Sequence, residues 1–139
     1  MKNSLLTLML LSPLAFAEEI SLRCECYTSN GFNKNGYYSE PCKGLISAKI
    51  NEGLFSQTFK VIDGLKQNVS GKTTFGENFI EWSSCKSEAE CKSSSSISSY
   101  NLERTGLILT KGFFTYISPD GGIRTTSLKK HKCNRVEGL

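Results

Sequence analysis

The stretch Ile20-Ser21-Leu22-Arg23-Cys24-Glu25-Cys26-Tyr27 alternates between apolar and other residues with a period of two. Successive side chains of a strand point to opposite faces, so Ile20, Leu22, Cys24 and Cys26 share one face. Both cysteines then point inward. Neighbours on one face of one strand are badly placed to bond each other, so each needs a partner elsewhere in the chain.

The same alternation recurs downstream. Residues 45–50 align Ile46, Ala48 and Ile50, and residues 54–62 align Phe55, Phe59 and Val61. Residues 78–83 offer Ile80 and Trp82, and 98–102 offer Tyr100 and Leu102. Residues 107–110, 113–117 and 123–128 complete the set. Turn signals divide them: Asn51-Glu52-Gly53, Asp63-Gly64, Gly76-Glu77-Asn78, Arg104-Thr105-Gly106, Lys111-Gly112 and Pro119-Asp120-Gly121-Gly122. Helix signals are confined to Ser87-Glu88-Ala89-Glu90, a single expected turn between Cys85 and Cys91. Residues 28–43 and the serine-rich 92–99 read as long loops. This layout predicts an all-β fold, one antiparallel meander of seven to eight short strands closed as a barrel or sandwich.

The chain has 139 residues, with 17 basic and 13 acidic side chains and a net charge of +4. It begins with Lys2, an apolar run from Leu5 to Leu14, and Ala15-Phe16-Ala17 before Glu18. That is the pattern of a cleaved signal peptide, residues 1–17, with one β domain in residues 18–139. The run is about half the ~20 residues of a membrane-spanning helix, so no membrane span is expected. Alternating strands after a signal also raise an outer-membrane barrel, but these runs fall short of the roughly 9–11 residues its strands need. The localisation expected is periplasmic or secreted. A mildly positive balance gives no reason to invoke nucleic acid.

All six cysteines follow the signal: Cys24, Cys26, Cys42, Cys85, Cys91 and Cys133. An even count in a short exported chain predicts three disulfides. Their spacing is not that of a zinc site and there is one histidine, so no metal and no cofactor is expected. Cys85–Cys91 closes a local loop. If the last strand lies beside the first, Cys24–Cys133 locks the closure and leaves Cys26–Cys42; fifteen pairings are formally open.

The segment Tyr100-Asn101-Leu102-Glu103-Arg104-Thr105-Gly106-Leu107, with a lone cysteine near the end at Cys133, resembles small uncharacterised exported proteins of Gram-negative bacteria. Their pattern is an (Asn/Asp)-Arg-x-Thr-Gly hairpin before a last strand ending in Gly-x-Cys. Here Glu103 stands at the Asn or Asp position, Thr105 abuts the arginine, and His131-Lys132 precede the cysteine. The resemblance implies a periplasmic setting and no activity.

Chemistry is sparse, and no catalytic residue is assigned. His131 lies within Lys129-Lys130-His131-Lys132, where the cationic neighbours disfavour its protonated form. Asp63 and Asp120 precede glycines, as turn residues do. The acids Glu77 and Glu81, and Glu88 and Glu90, suit a solvated surface as well as a hydrolytic pair. Asn68-Val69-Ser70 fits a glycosylation acceptor, which matters in a eukaryotic source. Binding character is found in two places. Phe32, Tyr37 and Tyr38 stand on the expected loop as amphipathic anchors, and Lys129, Lys130 and Lys132 form a basic run.

The function expected is non-enzymatic binding, presenting loops to a protein or surface polymer, as an inhibitor would. The alternatives are a lipocalin-like carrier of a small apolar ligand, though the lipocalin Gly-x-Trp signal is missing from the first strand, and a small hydrolase using His131 or a glutamate pair.

Overall fold

The computed structural model describes residues 19–33, 35–68, 70–94, 96–117 and 122–137; of residues 116, 117 and 122–125 it describes the backbone alone. The expected signal peptide, Val69 of the acceptor sequence, and Asp120 with most of its turn lie outside the described residues. No helix among the described residues is long and apolar enough to cross a membrane.

Among the described residues, ten strands and one short helix follow in order: β1 Glu19–Asn33, β2 Gly36–Glu40, β3 Leu45–Glu52, β4 Gln57–Asp63, β5 Lys66–Gln67, β6 Lys72–Phe75, β7 Phe79–Ser83, α1 Glu88–Ser93, β8 Ser96–Glu103, β9 Ile108–Ile117 and β10 Gly122–Val136. All join one antiparallel sheet in the order β5-β4-β3-β1-β10-β9-β8-β7-β6, with β2 also paired to β1. The sheet curls into a half-barrel. The curl shows in two ion pairs that join segments far apart in that order. Arg104 donates from Nη1 and Nη2 to the two carboxylate oxygens of Glu52, at 2.5 and 3.0 Å. Lys111 on β9 pairs with Asp63 at the end of β4.

The core is the inward stripe of each strand. Leu22 and Cys24 of β1, Ile46, Ala48 and Ile50 of β3, Phe59 and Val61 of β4, Ile80 and Trp82 of β7, Tyr100 and Leu102 of β8, Leu109 of β9 and Cys133 of β10 are buried together. Each large apolar side chain so buried contributes about 1.5–3 kcal/mol. Trp82 and Tyr100 oppose each other with ring centroids 5.6 Å apart. The Trp82 indole donates to the Ser70 carbonyl at 2.9 Å, so the buried N–H is satisfied by the connection from β5 to β6.

Disulfides join Cys24 to Cys133, Cys26 to Cys42 and Cys85 to Cys91, the pairs that the strand layout suggested. Cys24 and Cys133 face each other in the β1–β10 register. Cys26 sits where β1 has a bulge and changes partner. Residues up to Glu25 pair with β3, and those from Ser29 pair with β2. The bridge to Cys42 pins that junction. Cys85–Cys91 closes on α1, which Ser87 caps by accepting the Glu90 amide at 3.2 Å.

Several expected boundaries change. Residues 28–43 are not a long loop, because β1 runs on to Asn33 and turns into β2. Ser96 and Ile97 extend the strand expected from Ser98 into the serine-rich stretch, carried by pairing with β9 despite their loop-like composition. Lys111-Gly112 is not a turn but lies inside β9, which merges two expected strands. A Cβ on Gly112 would stand 2.6 Å from Ser99 Oγ and 3.4 Å from Leu128 Cδ2, so the glycine answers to close packing between neighbouring strands. Phe55 is fully exposed in the β3–β4 turn, since β4 starts only at Gln57. The short strands β5 and β6 had no alternation long enough to read.

Candidate functional site

The inward stripes change character along their length. On β8 the stripe runs Leu102, Tyr100, Ser98; on β9 it runs Leu109, Lys111, Phe113; on β10 it runs Cys133, His131, Lys129, Ser127. On β4 it runs Phe59, Val61, Asp63. At one end the four stripes are apolar, and at the other they carry hydroxyls, lysines and an acid. Strand length explains where the polar part opens. The strands β1 and β10 have 15 residues each, whereas β3 has 8 and β4 has 7. The long strands overrun β3 and β4, and at that end the inward residues line an open groove rather than a packed core.

The result is a groove of about 320 Å³ lined by Asp63, Lys66, Ser98, Tyr100, Lys111, Phe113, Ser127 and Lys129. Lys66 is opposite Asp63 in the β4–β5 register, and Lys129 is opposite Lys111 in the β9–β10 register. Three lysines therefore face one aspartate, and that aspartate is already paired with Lys111. Phe113 is 41% exposed, an apolar ring at the mouth. The Tyr100 hydroxyl has its pKa raised, chiefly by burial, so it stays a neutral hydrogen-bonding group.

His131 lies on the same inward face, two residues beyond Lys129, and is 3% exposed. Its pKa is lowered, first by burial; nearby Lys111 acts in the same direction. The backbone of Leu109 and Lys129 and the charge of Asp63 oppose that shift. No sound hydrogen bond reaches Nδ1, which is buried without a partner. Asp63, the acid whose charge acts on His131, is paired with Lys111. Among the described residues no three His, Cys, Asp or Glu side chains are grouped as metal ligands.

The residues singled out from sequence divide between the two faces. Lys129 enters the groove, whereas Lys130 and Lys132 alternate to the opposite face, where Lys132 donates to the Gly106 carbonyl at 2.7 Å. The basic run is thus not one patch. Phe32 and Tyr37 pair on the outer face, Tyr37 being 83% exposed. Tyr38 turns inward over Gly31, where a Cβ would fall 2.7 Å from its hydroxyl and 2.1 Å from the Thr126 carbonyl. Gly31 opposes Ser127 of the groove wall, so Tyr38 belongs beside the groove and the other two aromatics do not. The acids Glu77, Glu81, Glu88 and Glu90 are exposed; Glu88 pairs with Lys92 along α1, and Glu90 accepts from the Lys86 amide.

Asp63, Lys66, Lys111 and Phe113 were missed as site residues. They come from three strands, and only curling of the sheet brings β4 against β9. The available signal was a charge at an inward position: Lys111 is two residues from Leu109, and Asp63 is two from Val61. Comparison with models of known families, with curated proteins and with solved structures finds no match for this chain.

Proposed function

We propose that this chain is an exported, non-enzymatic binding module whose concave groove takes hold of an anionic group on a surface polymer. The observation that carries the reading is the excess of lysine in the groove: Lys66, Lys111 and Lys129 against Asp63 alone. Cations lining a concavity focus the field and favour an anionic ligand over a neutral one. The floor favours a polymer over a peptide. It is a sheet face whose backbone groups are committed to the β8–β9 and β9–β10 ladders, so no main-chain pairing is on offer. Recognition falls to side chains alone.

Export supports the same reading. Three disulfides join all six cysteines, which suits an oxidising compartment, and the leader pattern at residues 1–17 agrees with a periplasmic or secreted protein. Carriage of an apolar ligand has less support. The apolar half of the concavity is filled by its own side chains, and the open half is polar.

The test compares retention on immobilised dextran sulfate and on plain dextran. The wild-type oxidised domain is expected to prefer the sulfated matrix. Lys66→Ala plus Lys129→Ala should abolish that preference, while Lys130→Ala plus Lys132→Ala, which removes the same charge from the other face, should leave it. Equal loss in the two double variants would reduce the effect to net charge and sink the proposal.

A further inference from the structure

Building on the groove as a binding site, we propose that it is a subsite for a carboxylated sugar residue, with His131 beneath it as a proton-dependent cation. Size sets the scale. A cavity of about 320 Å³ is at the small end of ligand pockets and suits one or two sugar rings. The lining matches a ring bearing polar groups around its edge. Ser98, Ser127 and the Tyr100 hydroxyl offer hydrogen bonds, Phe113 offers an apolar face, and Lys66 and Lys129 are left to meet a charge, because Lys111 is held by Asp63. Two lysines, one from β5 and one from β10, converge on the groove from opposite sides, as a single compact carboxylate requires.

His131 has no role in stability that its surroundings explain. It stands among core residues with Nδ1 unpartnered, an arrangement that costs free energy and that a leucine or phenylalanine would avoid. The groups around it are Asp63 from β4, Lys111 from β9 and Lys129 from its own strand; its register partners are Leu109 and Cys26, neither of which titrates. In the empty groove burial, with a smaller push from Lys111, favours the neutral ring. A bound carboxylate adds a negative charge, and the Leu109 and Lys129 backbone groups already favour a protonated ring. Ligand and proton then favour each other. Affinity should rise as pH falls through the range where His131 protonates, and level off below it, until the ligand carboxylate itself protonates near pH 4.

The experiment uses the oxidised full domain with trigalacturonate, its neutral counterpart maltotriose, and pentaglutamate as probes. A single histidine gives a single pair of imidazole ring signals, so its titration is read directly by NMR with and without probe. Trigalacturonate is expected to bind about tenfold more tightly at about pH 5 than at about pH 8, and to raise the His131 pKa by about one unit, the linked value for that fold-change. Maltotriose should bind at neither pH. His131→Gln should bind trigalacturonate with a flat pH profile. A His131 titration that does not move at saturation, or an acid enhancement kept by His131→Gln, overturns the histidine linkage, and the first readout needs no variant to fold. Pentaglutamate binding as tightly as trigalacturonate overturns the sugar class. If no carboxylate probe binds while the dextran sulfate preference survives, this inference falls and the anion-binding reading stands.

Discussion

The two ends of the concavity are spanned by the same device and put to different use. At one end Glu52 and Arg104 tie β3 to the β8–β9 turn, with Ile50, Leu102 and Leu109 packed behind them. At the other, Asp63 and Lys111 tie β4 to β9, but what lies behind them is Tyr100, His131 and open groove. An ion pair across a curled sheet seals only where apolar side chains fill the space beneath it. Where the strands overrun each other it leaves a charged concavity instead.

The largest effect expected is on both ends at once. Replacing Cys24 and Cys133 by alanine opens a link across 109 residues, and for a loop of that length loss of about 4–5 kcal/mol is expected from chain entropy. Urea unfolding of the purified double variant checks it; a loss below about 1 kcal/mol would mean that packing alone holds β1 against β10. The next effect separates the ends. Leu109→Ala in the sealed end should cost about 2–5 kcal/mol, while Phe113→Ala, half-open in the groove, should cost less than about 1. Equal costs would show that the groove end is packed as tightly as the core.

A smaller effect is pH-dependent. The His131 pKa in the folded protein lies below its ordinary 6.5, so the unfolded chain binds the proton more readily. Stability from this group is full above 6.5 and is lost as pH falls through the folded value. His131→Phe should flatten that part of the profile, as read by unfolding midpoints across a pH series. The smallest effects come from the ion pairs. Both are about one-third exposed, so Glu52→Gln should cost only about 1 kcal/mol and Asp63→Asn no more. Asp63→Asn should also strengthen anion retention by freeing Lys111, and Glu52→Gln should not change it.

Particular residues show how far the fold was legible. Ile46, Ala48, Ile50, Ile80 and Leu102 declare themselves, because burial of one sheet face writes a period of two into the chain. The groove is harder to read for the same reason. Asp63, Lys111 and Lys129 break that period at inward positions, and a charge there reads as a turn or a surface face until the opposite wall is known to stop short. Gly31 and Gly112 look like loop residues and are instead places where side chains of adjacent strands crowd together.

Cysteine spacing and alternation within single segments were enough to specify an all-β, disulfide-stapled chain, because both act over a few residues or through one covalent bond. The length of each strand relative to its neighbours, and so the lysine groove at the overhanging end, depended on which strands came to lie opposite. That is a property of the curl of the whole sheet, and no segment carries it alone.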